Sequence, residues 1–192
     1  MTPMTPQKLH AAADELLAKV FSLNPEAKHC CDGCRLAHCC YEPAYADVRE
    51  IRHLLEGLSP EQKEAVKARL PDWLEKARPL LHEDMPSAMG YRLLAVPCPL
   101  LNLKTNECMA YDRRPFACRT FLAKENPSRC ATEHRQTQKY GIFPVVDAIL
   151  AQYYVSNEWL VMDHIGALLI EELLATTCRT GSRVSLPTTQ PK

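Results

Sequence analysis

A chain of 192 residues with 46% apolar side chains is long enough for one core, burying roughly 70% of the surface that its unfolded form exposes. Its 23 Lys and Arg balance 23 Asp and Glu, so no net field draws in a nucleic acid or an anionic membrane, and both are excluded as expected partners. The start, Met1 to Gln7, lacks the basic and apolar regions of a secretory signal, and the longest apolar candidate, Trp159 to Leu174, is interrupted by Asp163, His164, Glu171 and Glu172. A soluble, cytoplasmic protein is expected, and in that reducing setting the ten cysteines are not expected to form five disulfides, which favours metal binding by the clustered ones.

In chain order, Leu9, Ala13, Leu16, Leu17, Val20 and Phe21 form a helical stripe over residues 6 to 22, ending before Asn24-Pro25. Residues 29 to 44 hold five cysteines with Gly33 and Pro43, a composition suited to an irregular loop around a ligand. Asp47 to Leu58 predicts a second helix closed near Gly57. Ser59-Pro60-Glu61-Gln62 places a capping serine before a proline at the first helical position, so a third helix starts there. Pro71 is expected to break or restart it, and the piece from Asp72 to His82 carries Trp73, Leu74, Ala77, Leu80 and Leu81, with Pro79 weakening its last turn.

Around Lys104-Thr105-Asn106 the flanks predict a short hairpin that brings Cys98 and Cys108 together. Pro115 favours the first turn of a helix and so places Cys118 on that turn. From Pro144 to about Ala175 the pattern is helical again, with a break near Ser156-Asn157, and the Ser/Thr/Pro-rich tail from residue 180 to 192 is expected to be disordered. The expected architecture is therefore mainly α: one compact helical domain over residues 1 to 179, with a short β-hairpin and irregular cysteine-rich loops around a metal centre. Helices from the two ends of the chain are expected to pack together and hold the cysteine blocks against each other.

Nine of the ten cysteines fall into two blocks: Cys30, Cys31, Cys34, Cys39 and Cys40, then Cys98, Cys108, Cys118 and Cys130. The step Cys31-Asp32-Gly33-Cys34 is the commonest way to supply two thiolates to one ion from one turn. The vicinal pair Cys39-Cys40 is a poorer chelate, because neighbouring side chains leave the backbone in different directions. Vicinal thiols point to a polynuclear cluster, two neighbouring metals, or one ligand beside a structural cysteine. Thiolates around a metal leave a net anion, and Arg113, Arg114 and Arg119 stand close by in sequence; Arg119 is expected to donate to sulfur.

The order CxxC, vicinal pair, Cys98-Pro-Leu-Leu, then Cys108-x-x-Tyr111-x-x-Arg114-Pro115-x-x-Cys118-Arg119 resembles the YkgJ-type cysteine-cluster family of zinc- or iron-chelating CxxCxxCC domains. The resemblance covers residues 30 to 122. It implies chelation by Cys31, Cys34, Cys39, Cys40, Cys98, Cys108 and Cys118. The pattern is also similar to that of flagellin lysine methylases, which implies an iron–sulfur cluster and a methyl-transfer reaction as further expectations. One departure concerns the four residues Arg35-Leu36-Ala37-His38 before the vicinal pair, where the family places a single glycine-containing step; Cys30 is then an alternate ligand.

Cys130 and His134, at i, i+4 spacing, are alternates as well, while His29 and His38 flank the first block as ligands or as hydrogen-bond donors to sulfur. Cys178 reads as a small buried hydrophobe, and Tyr91, Tyr111, Tyr153 and Tyr154 as core residues. No Ser-His-Asp set, P-loop or glycine-rich dinucleotide loop is present, and no acidic pair stands out for acid–base work. Three readings follow. The first is a metal-binding protein whose thiolates hold an iron–sulfur cluster, of the 4Fe-4S type, or zinc, for redox chemistry, metal handling or an associated reaction. The second is a structural zinc module for contact with a protein partner, and the third a cluster-dependent methyltransferase-like enzyme.

Overall fold

The structure is a computed structural model, and it describes residues 3–29, 37–41, 44–81, 96–124, 143–157 and 162–178. Helix α1 (Pro6–Leu23) starts where Thr5 accepts the Lys8 N–H and proline occupies the first turn, a position whose amide has no helical partner in any case. Its buried residues Leu9, Ala13, Leu17 and Val20 belong to the stripe predicted from periodicity, whose Leu16 and Phe21 are half-buried. Strand β1 (Ala27–His29) follows, then a 3-10 turn at His38–Tyr41 and strand β2 (Tyr45–Asp47). Helix α2 (Val48–Glu56) opens on a reciprocal capping box, Asp47 accepting from the first turn while Glu50 reaches back to the Asp47 N–H.

Helix α3 (Pro60–Leu81) begins at the predicted Ser59 cap, whose hydroxyl accepts the Gln62 N–H. It runs unbroken through Pro71, contrary to the expected interruption. Val66, Leu70, Trp73 and Ala77 recur at spacings of four, three and four and are all buried on one side, so tertiary packing outweighs the backbone bond lost at the proline.

The hairpin β3 (Leu101–Asn102) and β4 (Glu107–Cys108) comes next, followed by a 3-10 turn at Tyr111–Arg113 and the single turn α4 (Phe116–Arg119). Strand β5 (Leu122–Lys124), helix α5 (Phe143–Ser156), strand β6 (Met162–His164) and helix α6 (Ile165–Cys178) complete the described chain. The break expected near Ser156-Asn157 lies between α5 and β6.

The fold is mainly α. Besides the predicted hairpin, two antiparallel pairs join distant segments: β1 with β5, His29 opposite Leu122, and β2 with β6, Tyr45 opposite His164. Three residues per strand give no alternating pattern to read, which is why these long-range pairs escape a sequence reading.

The main core gathers Ile51, Leu54 and Leu55 of α2, Val66 and Leu70 of α3, and Ile165, Leu168 and Leu169 of α6. Against it pack Cys98, Cys108 and Cys118. A second cluster seats Phe116 and Tyr153 on Leu9 and Ala13 of α1. Of the helices from the two chain ends, α1 packs on α5 and α4, and α6 on α3 and α2. Among the described residues no helix is long and apolar enough to cross a membrane.

Candidate metal centre

Two stitches join the described edges of the cysteine-bearing segments. At one, β1 ends at His29, next to the first block, and lies opposite Leu122, four residues beyond Cys118. At the other, the Cys98 N–H donates to the Cys40 carbonyl at 2.6 Å. The β3–β4 hairpin then sets Leu101 opposite Cys108, and the Cys98 carbonyl accepts from Leu101 at 2.9 Å, so Cys98 and Cys108 meet as the Lys104-Thr105-Asn106 signal predicted. Asn106 supplies the positive φ of 58° that this tight turn needs. From α3, Arg69 donates to the carbonyls of Pro99 and Leu101 and ties the cysteine segment to the helix.

Cys118 sits on α4 as predicted, its N–H bonded to the Pro115 carbonyl at 2.9 Å. The thiols of Cys98, Cys108 and Cys118 share one environment. Burial first, and then the nearby Cys108 and Cys118, push the Cys98 thiol far above the ordinary cysteine range, with the Leu100 backbone acting in the opposite direction. Such a thiol is neutral without metal and must give up its proton to bind one.

The vicinal pair occupies the 3-10 turn, where the Cys40 N–H donates to the Ala37 carbonyl at 2.8 Å. Ala37 is buried with φ at 48°, a conformation that glycine adopts without strain. Alanine is thus placed in a left-handed step two residues before Cys39, within the stretch where the chain departs from the single-glycine pattern.

Of the seven predicted ligands, Cys39, Cys40, Cys98, Cys108 and Cys118 are described and each is partly buried. Cys31 and Cys34 lie outside the described residues, as do Cys30, Cys130, His134, Tyr91 and the tail from residue 180, and the side chains of His29, His38 and Cys178 are likewise outside. Among the described residues no disulfide joins two cysteines, and no three His, Cys, Asp or Glu side chains stand close enough to hold one metal ion. The donor chemistry nevertheless suits zinc or iron, since the soft thiols of Cys98, Cys108 and Cys118, each partly buried, all pack against one apolar core.

Arg119 corrects an expectation. Its Nε donates to the Arg114 carbonyl at 2.9 Å, its Nη2 to the Asp112 carbonyl, and its Nη1 to both oxygens of Asp14 at 2.8 and 3.0 Å. It braces the Cys118 turn: among the described residues two carbonyls left over from irregular backbone and one carboxylate, rather than a sulfur, take its fork. Arg113 caps the His53 carbonyl at 3.1 Å, and the buried Arg114 guanidinium lies 3.9 Å over the Tyr111 ring. Tyr153 is core as expected, whereas Tyr111 and Tyr154 are exposed.

A buried polar network was not singled out from the sequence. Glu50 Oε1 accepts from the Phe116 N–H at 2.7 Å and sits 3.0 Å from His10 Nε2, while Asp47 Oδ1 accepts from the Tyr153 hydroxyl at 3.0 Å. Burial, and then Asp47, raise the Tyr153 hydroxyl well above the usual tyrosine range. The available signal was Asp47-x-x-Glu50 ahead of an apolar helix, a capping-box spacing.

The family described as "Putative zinc- or iron-chelating domain" (CxxCxxCC) matches residues 30–144, more than half of the chain, including the Cys40–Cys98 contact and the segment that carries β5. No curated protein and no solved structure matched the chain. The cysteine order, the meeting of the two blocks and this match lead to one conclusion: the chain belongs to the CxxCxxCC family of zinc- or iron-chelating domains.

Proposed function

We propose that Cys31, Cys34, Cys39, Cys40, Cys98, Cys108 and Cys118 form the ligand pool of an iron–sulfur centre, of the 4Fe-4S type, in a metal-binding protein that serves redox chemistry or metal handling. The observation that carries this reading is the junction of the two blocks, with Cys40 bonded through its backbone to Cys98 and Cys98 sharing its environment with Cys108 and Cys118. Seven thiols exceed the four that a structural zinc ion takes, and the vicinal pair fits a cluster or a two-metal site better than one tetrahedron. When bound, such a cluster supplies one-electron chemistry tuned by burial and by nearby charge. The protein's own part is to hold the sulfurs on an apolar wall and to fix the segments that carry them.

Substitution by serine, one cysteine at a time, tests the pool. Cys34→Ser and Cys118→Ser each lower metal content and solubility together without abolishing metal binding by the six remaining thiols, because metal-binding energy is folding energy in such sites. Cys178→Ser retains the metal. Full metal content in Cys118→Ser, or loss of metal in Cys178→Ser, contradicts the ligand set.

A further inference from the structure

We propose that Glu50 is a positioning residue for Cys118, and that α1 clamps the Cys118 turn from both ends through His10 and Asp14. The inference rests on the ligand pool proposed above.

Helix α4 is a four-residue turn whose cap, Pro115, offers no side-chain hydrogen bond. A single turn does not hold itself, since its few backbone bonds fall short of the entropy lost in ordering it. Its shape must come from outside. At the leading end, the buried Glu50 carboxylate takes the Phe116 N–H at 2.7 Å and is held by His10 at 3.0 Å and by the Asp47 N–H at 3.3 Å. At the trailing end, Arg119 grips Asp14 and two carbonyls of the preceding segment.

His10 and Asp14 stand one turn apart on α1, so one helix face reaches both ends of the turn. Cys118 lies between the two grips. Ligand-orienting partners of this kind are worth roughly 10- to 100-fold in metal affinity.

Anaerobic titration of the full chain with Co(II), whose thiolate charge-transfer absorption counts bound sulfurs, tests the clamp in two backgrounds. Glu50→Ala and Asp14→Ala each weaken Co(II) binding roughly 10- to 100-fold and reduce the charge-transfer intensity. In the Cys118→Ser background neither substitution adds a further loss, because the residue it positions is gone. Glu50→Gln, which keeps an acceptor for the Phe116 N–H, retains most of the affinity.

Asp14 is about half exposed, 57% at its side chain, so Asp14→Ala decides the matter if Glu50→Ala fails to fold. Wild-type binding by Asp14→Ala, or an equal loss with and without Cys118, overturns the clamp. Wild-type binding by Cys118→Ser alone instead overturns the ligand pool.

Discussion

His164 is buried between Tyr45 and Trp73, its ring stacked 5.1 Å from the indole and its Nδ1 accepting the Gly166 N–H at 3.0 Å. Charging the ring puts a proton on that acceptor and breaks the bond, and burial lowers the pKa to about 4. The folded state then binds fewer protons than the unfolded one, whose imidazole titrates near its ordinary value of 6.5. Stability is full above pH 6.5 and declines as pH falls toward 4, by roughly 2–3 kcal/mol at pH 4.5 from this residue alone. Urea unfolding at pH 7 and 4.5 checks this, with the drop smaller by about that amount in His164→Phe; equal drops contradict it. A methyl on Gly166 would overlap the Trp73 indole, so Gly166→Ala costs about 1–3 kcal/mol, read from thermal melts; an unchanged melt means that the indole is free to shift. At this scale the sequence was legible where chemistry is local, as in the hairpin turn before Cys108. It misled at Arg119, because a guanidinium answers to whichever carbonyls and carboxylates the fold brings to it, and Asp14 is 105 residues away.

Helix α3 shows how packing overrides propensity. Pro71 is exposed, and its ring removes a bond to the Lys67 carbonyl within a helix that Val66, Leu70, Trp73 and Ala77 hold against the rest of the molecule. Pro71→Ala therefore stabilises the protein by up to roughly 3 kcal/mol, seen as a higher urea midpoint with an unchanged slope. A lower midpoint means that the proline itself shapes the helix. In the α2 core, Leu54 is fully buried, and Leu54→Ala costs about 2–5 kcal/mol in the same measurement. The long helices were readable because their apolar residues repeat with the helical period. The strands β1, β2, β5 and β6 were not, because three residues carry no period and their partners come from remote segments.

For the whole molecule, the fold does one thing that bears on function: among the described residues it brings the Cys39-Cys40 end of the first cysteine block to Cys98, about sixty residues further along the chain. The β1–β5 pair and the Cys98–Cys40 bond join the segments that flank them, and the α2–α3–α6 core supplies the apolar wall against which Cys98, Cys108 and Cys118 pack. Family membership was legible in cysteine order alone, while the supports of Cys118 required the fold. The central claim is a polynuclear thiolate centre, and analysis of iron, zinc and acid-labile sulfide in anaerobically prepared full-length protein tests it most directly. The account predicts brown protein containing iron and sulfide in near-equal amounts, with less of both in Cys118→Ser. Colourless protein with one zinc per chain and no sulfide would contradict it.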